Sequence, residues 1–359
     1  MKTFVLTEDQ SMLRELAQNL AEAEIKPRSE HVDQGCVVPA EGMSVLAEAG
    51  LLSCVLPEDQ GGAGLDCWSQ CCVIEETAKQ CASTAWAVSE NAVVAECVCR
   101  YGSETSKSQV LPSLVEGVFA AVADGAGLTC EKAGDGYVLS GRLRHVLLAE
   151  AAKWLGVSAQ EGEERLWFLL ENGQDGLKVE KQAELLGLKG CPAGTLCLEN
   201  CRAASDALLG GGVEKTLRTL RALYGAAIAA GISQGALAEA IPYANQRIQF
   251  GKPVSHFENN QQLLSDLLAK AEAARALTWN AAAVKDSGED GEVVAEMAKV
   301  FAADVAPYLT RKCVQVMGGY GYSREYPVER KMRDAKMIEL LGGTAEDLKA
   351  EVAKALVMQ

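Results

Sequence analysis

The stretch RDAKMIELLGGTAEDL, residues 333–348, gathers the ingredients of a binding turn. An Arg333-Asp334 pair leads through a short apolar run into Gly342-Gly343-Thr344, whose glycines admit backbone conformations other residues avoid and let a ligand approach closely. A helix starting just after such a turn points unpaired N–H groups outward, which suits a phosphate or the edge of a flavin. Thiol, metal and imidazole chemistry find less support. The 13 cysteines sit mostly among alanines and valines, no CxxC pair occurs, and the only histidines are His31, His145 and His256. The thiols therefore read as small buried hydrophobes in a reducing cell, with no metal site and no disulfide framework. A Ser-His-Asp or Cys-His device has few bases to draw on.

The elements that must hold this turn follow from the bulk properties. A chain of 359 residues with 48% hydrophobic content is too long for one small core and suits two or three subdomains. The formal net charge of -15 repels nucleic acid and anionic membrane surfaces, so neither is an expected partner. The opening MKTFVLTEDQ lacks the apolar core of a signal peptide, and no charge-free run of about 18 apolar residues occurs. A cytoplasmic protein is expected.

Thr7 and Gln10 form a capping-box pattern, and Leu13, Leu16, Ala17 and Leu20 trace a helical stripe behind it. The helical pattern continues to about residue 115, broken at Leu56-Pro57 and at Gly61-Gly62-Ala63-Gly64, a turn between helices. From 117 to 210 the texture changes to short apolar runs separated by turn residues: Val118 to Ala123, Gly136 to Gly141, Trp154 to Val157, Leu166 to Leu170 and Leu196 to Leu198. Beyond Gly210-Gly211-Gly212, alanine-rich helices resume, with a stripe from Leu217 to Gly231 and a second long helix from about Gln261 to Val284. The expected class is α+β, mainly α: an N-terminal helical domain (1–115), a middle β domain (116–212) and a C-terminal four-helix bundle (213–359).

Four segments carry a resemblance: GLLSCVLPEDQGGAGLD, QRIQFGKPVSHFENNQQLLSDL, VQVMGGYGYSREYPVERKMRDAK and GGTAEDL. In this order and spacing they resemble the acyl-CoA dehydrogenases over essentially the whole chain. The resemblance implies the three-part fold, FAD as cofactor, an acyl-CoA substrate, a tetramer and an electron-transferring flavoprotein as a possible electron acceptor. It further implies that FAD spans a subunit interface. One chain holds the flavin ring, and its neighbour holds the diphosphate and adenosine with segments that here match Arg247, Gln249, Phe250, Gln315, Gly318 and Gly319. Thr344 joins these as a cofactor-binding position. Without the resemblance, Arg247 also fits a bundle-surface arginine paired with an acid, and Gln315 with Gly318-Gly319 also fits a helix C-cap.

In such a family a carboxylate removes the α-proton of the thioester, and desolvation lifts its pKa toward the working range. The usual seat of that base matches Gly342, and an alternative seat matches Arg221, so both are empty here. The flavin-ring segments depart as well. Ala123-Asp124-Gly125 stands near the usual Thr-Glu-Pro loop, and His145-Val146-Leu147 aligns where a Trp-Ile-Thr is typical; leucine offers no hydroxyl there. The expectation is a catalytically degenerate subunit of a heteromer, lending the ADP half-site to a homologous partner. Two alternatives stand beside it: a self-sufficient dehydrogenase or reductase with a relocated base, and an acyl-CoA-binding scaffold without FAD. Glu90 is the candidate relocated base, with Glu339 and Glu346 behind it. A helix-surface Glu90, a helix-dipole role for Glu346, and a bundle-locking Arg333-Asp334 pair are the plain readings of the same residues. Trp86 and its Ala and Cys neighbours suggest an uncrowded apolar acyl lining.

Overall fold

In the computed structural model, residues 6–181 and 184–358 are described. Residues 1–5, on which part of the leader-peptide reading rests, lie outside them. The N-terminal third is helical: α1 (Glu8–Leu20), α2 (Lys26–Gly35), α3 (Ala40–Glu48), α4 (Cys67–Gln80), α5 (Ala82–Tyr101) and α6 (Glu104–Val115). The capping box forms as the sequence suggests. The Thr7 hydroxyl accepts from the Gln10 N–H at 3.1 Å and the Gln10 side chain accepts from the Thr7 N–H at 3.2 Å, a device worth about 1 kcal/mol. The Leu56–Gly64 break is a tight loop between α3 and α4, also as expected.

The middle of the chain is an eight-stranded sheet. Its strands are β1 (Ala120–Ala123), β2 (Leu128–Ala133), β3 (Gly136–Leu147), β4 (Trp154–Glu161), β5 (Glu164–Glu171), β6 (Leu177–Lys181), β7 (Ala193–Ala203) and β8 (Leu208–Leu209). The spatial order is β6-β7-β3-β2-β4-β5-β8, with β1 lying parallel to β4. Most pairings are antiparallel, with β1 and β2 each parallel to β4, and α5 packs against β1.

The C-terminal part holds α7 (Val213–Gln246), the short hairpin strands β9 (Ile248–Gln249) and β10 (Lys252–Pro253), α8 (Glu258–Asp286), α9 (Glu292–Met317), α10 (Gly319–Tyr322), α11 (Val328–Leu340) and α12 (Ala345–Leu356). Helices α7, α8, α9 and α11 make the four-helix bundle, and α12 lies against α9. Helix α7 is the axle of the molecule, packing on α9 and α8 within the bundle and on α4 and α5 outside it. Its alanines and glycines make this possible: a methyl on Gly231 would come within 2.3 Å of the Glu75 carbonyl oxygen, so α4 sits directly on the backbone of α7.

Buried polar contacts fix the N-terminal helices to the bundle. The Asp286 carboxylate, at the end of α8, accepts from the Cys67 and Trp68 N–H groups at 2.7 and 3.1 Å, capping α4 from outside. Tyr224 donates to Glu96 at 2.6 Å, and Lys285 approaches the same carboxylate at 3.2 Å. Arg333 and Asp334 do lock the structure, though not the bundle alone. Arg333 donates to Asp33, Glu329 and the Leu186 carbonyl, while Asp334 accepts from the Leu188 N–H at 2.7 Å. Together they tie α11 to α2 and to the segment before β7.

Candidate functional site

Two regions at opposite ends of α7 collect the residues singled out above. At the first, α11 ends and the chain turns through Gly342 (φ 75°) and Gly343 (φ 103°), left-handed conformations that explain glycine at both positions. Thr344 then caps α12, its hydroxyl accepting from the Asp347 N–H at 3.2 Å and donating to the Asp347 carboxylate at 2.7 Å. Its polar groups are used within the turn. The two positions where the resemblance would seat a base are neighbours: a Cβ on Gly342 would lie 3.4 Å from the Arg221 carbonyl oxygen.

Glu90 lies behind this turn, and its surface reading is corrected. Helix α5 is buried on every side from Ala82 to Val98, so Glu90 is only 2% exposed. One carboxylate oxygen accepts from the Val122 N–H at 2.7 Å, and the other stands 3.5 Å from the Arg221 Nε. Burial pushes the Glu90 carboxyl above its ordinary value, opposed by the Arg221 charge and the Val122 hydrogen bond. Trp86 is buried too, with the Arg221 guanidinium 6.0 Å from its ring centroid.

In front of Arg221 is a cavity of about 370 Å³, walled by Arg165, Arg218, Arg221, Asp124, Gly342 and Gly343 among others; Glu90 is not part of the wall. Asp124, in the loop that departs from the expected flavin segment, is held by Arg165 and by the Ser158 hydroxyl at 3.1 Å. Leu147 is buried and apolar. Glu339 pairs with Lys336 at 2.9 Å, and Glu346 is exposed in the first turn of α12, as its helix-dipole reading has it. Neither reaches the cavity wall.

The second region is at the other end of α7, where Arg247 closes the helix with its N–H on the Tyr243 carbonyl at 2.9 Å. Arg247, Gln249, Gly318, Gly319 and Tyr320 line a cleft of about 460 Å³. The Arg247 guanidinium sits 5.7 Å from the Tyr320 ring centroid and makes no hydrogen bond or ion pair among the described residues. The alternative of an arginine paired with an acid is corrected accordingly. Gly318 does end α9, with its N–H on the Gln315 carbonyl at 3.2 Å, and a Cβ on Gly319 would meet nothing. Phe250 and Gln315 stay on the rim. Phe250 is 95% exposed against Phe257 with ring centroids 6.4 Å apart, and the Gln315 side chain is outside the cleft wall.

A flavin dinucleotide can be tested against both regions. The cleft fits its diphosphate end, since an unpartnered guanidinium and open glycine backbone are what a diphosphate requires. The first region fits the ring end poorly: Leu147 has no hydrogen-bonding group, and Asp124 is already neutralised by Arg165. Among the described residues no group of histidines, cysteines or carboxylates is arranged to hold a metal ion, and no helix is long and apolar enough to cross a membrane.

Comparison with known proteins matches these regions to one family. Residues 7–118 match the family described as "Acyl-CoA dehydrogenase, N-terminal domain", and residues 212–357 match "Acyl-CoA dehydrogenase, C-terminal domain". The chain is 36% identical to a probable acyl-CoA dehydrogenase of Mycobacterium tuberculosis, over 99% of this chain and 97% of that protein. It is 33% identical to cyclohex-1-ene-1-carbonyl-CoA dehydrogenase of Syntrophus aciditrophicus, over 98% and 91% respectively. The solved structure of butyryl-CoA dehydrogenase from Megasphaera elsdenii superposes with a TM-score of 0.94 at 30% identity, covering 99% of this chain and all (100%) of that one.

Proposed function

This chain belongs to the acyl-CoA dehydrogenase family, and from that premise we propose that it is the base-deficient subunit of an FAD-dependent complex that dehydrogenates acyl-CoA thioesters at the α,β-bond. One observation carries the reading. Glu90, the buried carboxylate behind the empty base seat, is bound to the Val122 N–H and to Arg221 and is absent from the cavity wall, whereas the Arg247 cleft is open and its guanidinium has no hydrogen-bond or ion-pair partner among the described residues. Bound FAD supplies the acceptor for the hydride leaving the β-carbon. This chain's residues serve its other end: Arg247 binds the diphosphate charge, Gln249 offers an amide, and the Gly318-Gly319 backbone allows close approach.

The geometry of α7 supports sharing between chains. At ~1.5 Å per residue, the 26 positions from Arg221 to Arg247 span about 39 Å, farther than one dinucleotide extends. In this reading a cofactor held at Arg247 would have its ring in a neighbouring subunit. In this reading the partner is a homologous chain bearing the missing carboxylate, and an electron-transferring flavoprotein is the class of electron acceptor. The chain acts in the cytoplasm.

A second reading is favoured by one specific feature, the burial that raises the Glu90 carboxyl. There Glu90 is the base of a self-sufficient enzyme, released from Arg221 when substrate enters. Purifying the native complex and assaying Glu90→Gln separates the two readings. The heteromer reading expects unchanged turnover and a second, homologous chain; a homotetramer that loses activity in Glu90→Gln would replace it with the second reading. A complex without flavin absorbance would leave only a scaffold role.

A further inference from the structure

A groove between α9 and α11 encloses about 740 Å³ and shares no wall residue with the Arg247 cleft or with the cavity before Gly342. The 318–326 turn that joins the two helices separates it from the cleft. Gly318, Gly319 and Tyr320 line the cleft, whereas Tyr322 and Arg324 line the groove. No residue assigned to the flavin lies on the groove wall.

Four cations and three acids line the groove, and most of them neutralise one another. Arg333 donates to Glu329 at 2.7 and 3.0 Å and also to Asp33, while Lys336 donates to Glu339 at 2.9 Å. That leaves the exposed Arg311 and Arg324 against Asp304 alone, and none of these three makes a hydrogen bond or ion pair among the described residues. Asp304 stands seven positions before Arg311 on α9, ~10 Å along the helix axis, too far to neutralise it. Lys312 adds a third open cation. Its ammonium and the Arg311 guanidinium lie 5.7 and 6.0 Å from the Tyr308 ring centroid, and neither has an acidic partner among the described residues. In a chain of net charge -15, this end of the groove is a local excess of positive charge.

The same wall carries an aromatic surface without a partner. Tyr322 is 84% exposed and stands two positions from Arg324, and half-buried Val314 and Met332 supply apolar floor. A ligand-sized groove that joins an open ring to two open guanidiniums suits a molecule that is flat and apolar at one end and strongly anionic at the other. We propose that the groove between α9 and α11 binds a nucleoside phosphate, its base stacked on Tyr322 and its phosphate held by Arg311 and Arg324. This site is separate from the flavin cleft and stands whether or not a partner subunit supplies the base.

The test is calorimetric titration of the native complex, saturated with FAD so that the Arg247 cleft is filled, with AMP and with inorganic phosphate. Wild type, Arg311→Gln and Tyr322→Leu are compared, both changes being at exposed positions that the fold does not depend on. The expected result is AMP binding that weakens about tenfold or more in Arg311→Gln and about fivefold or more in Tyr322→Leu, with phosphate weaker than AMP and sensitive to Arg311 alone. AMP and phosphate binding with equal affinity, or AMP binding untouched by Tyr322→Leu, would overturn the nucleotide assignment and reduce the groove to an anion site. AMP binding insensitive to both changes, or no binding, would overturn the inference altogether.

Discussion

The two ends of α7 make opposite use of an arginine. At the far end Arg247 is exposed over an open cleft, where water solvates it until a ligand arrives. At the near end Arg221 is largely buried beside Glu90, its Nε without a hydrogen-bond partner, and Lys299 is fully buried nearby. The first arrangement costs little without ligand and suits a site offered to another molecule. The second holds unbalanced charge inside the fold, a state that persists only when the surroundings enforce it and something is gained from it.

Changes at the near end should have the largest effect on stability. Lys299 has a folded-state pKa near 7, below its ordinary 10.5, so the unfolded chain binds more protons between those values and stability rises with pH across that window. Below pH 7 the full cost of burying the ammonium is present. Lys299→Met should therefore raise denaturant stability by about 1–4 kcal/mol at pH 6, with the gain shrinking toward pH 10. A variant no more stable than wild type at pH 6 would mean that Lys299 is better compensated than its surroundings suggest, and the contrast between the two ends would weaken.

At the far end the expected effect is on cofactor rather than fold. Arg247→Ala should weaken FAD retention about tenfold or more with the melting temperature of the flavin-free protein unchanged, read from flavin absorbance after gel filtration. Gly319→Leu probes the same cleft by filling it, since a Cβ added there meets no protein atom within 4 Å. It should also deplete FAD without unfolding the chain. Full FAD occupancy in both variants would remove the cleft from the cofactor site.

The smallest expected effect is at Glu90. Loss of a true general base lowers turnover by about 10²–10⁴-fold, whereas Glu90→Gln in the native complex should change it less than about twofold. That contrast decides whether the near end does chemistry of its own.

How much of this was legible in the sequence depends on distance along the chain. The Thr7 capping box, the glycine break at 61–64 and the long helix stripes are local patterns, and they formed as read. Strand β2 was not read: only Leu128 and Cys130 of its six residues are buried, so its apolar pattern is too short to stand out. The extent of β3 was missed for another reason, since bulges near Gly141 and between Leu143 and Val146 disturb its alternation. At the site, Gly342 and Arg221 as empty seats came from the resemblance, but their proximity to each other and to Glu90 came from folding. Segments 221 and 90 meet only because α5 and α7 pack together. One local clue to Glu90 was available: from Ala82 to Val98 no face of the helix is polar, which marks a helix buried all round and a glutamate inside it.

The most direct test of the account is the ratio of FAD to chain in the native complex, from flavin absorbance with each subunit identified by mass. The account predicts about one FAD for every two chains, with a second homologous subunit carrying the carboxylate that Gly342 replaces. One FAD per chain in a homomer would contradict it, showing that the near end of α7 seats a flavin ring after all.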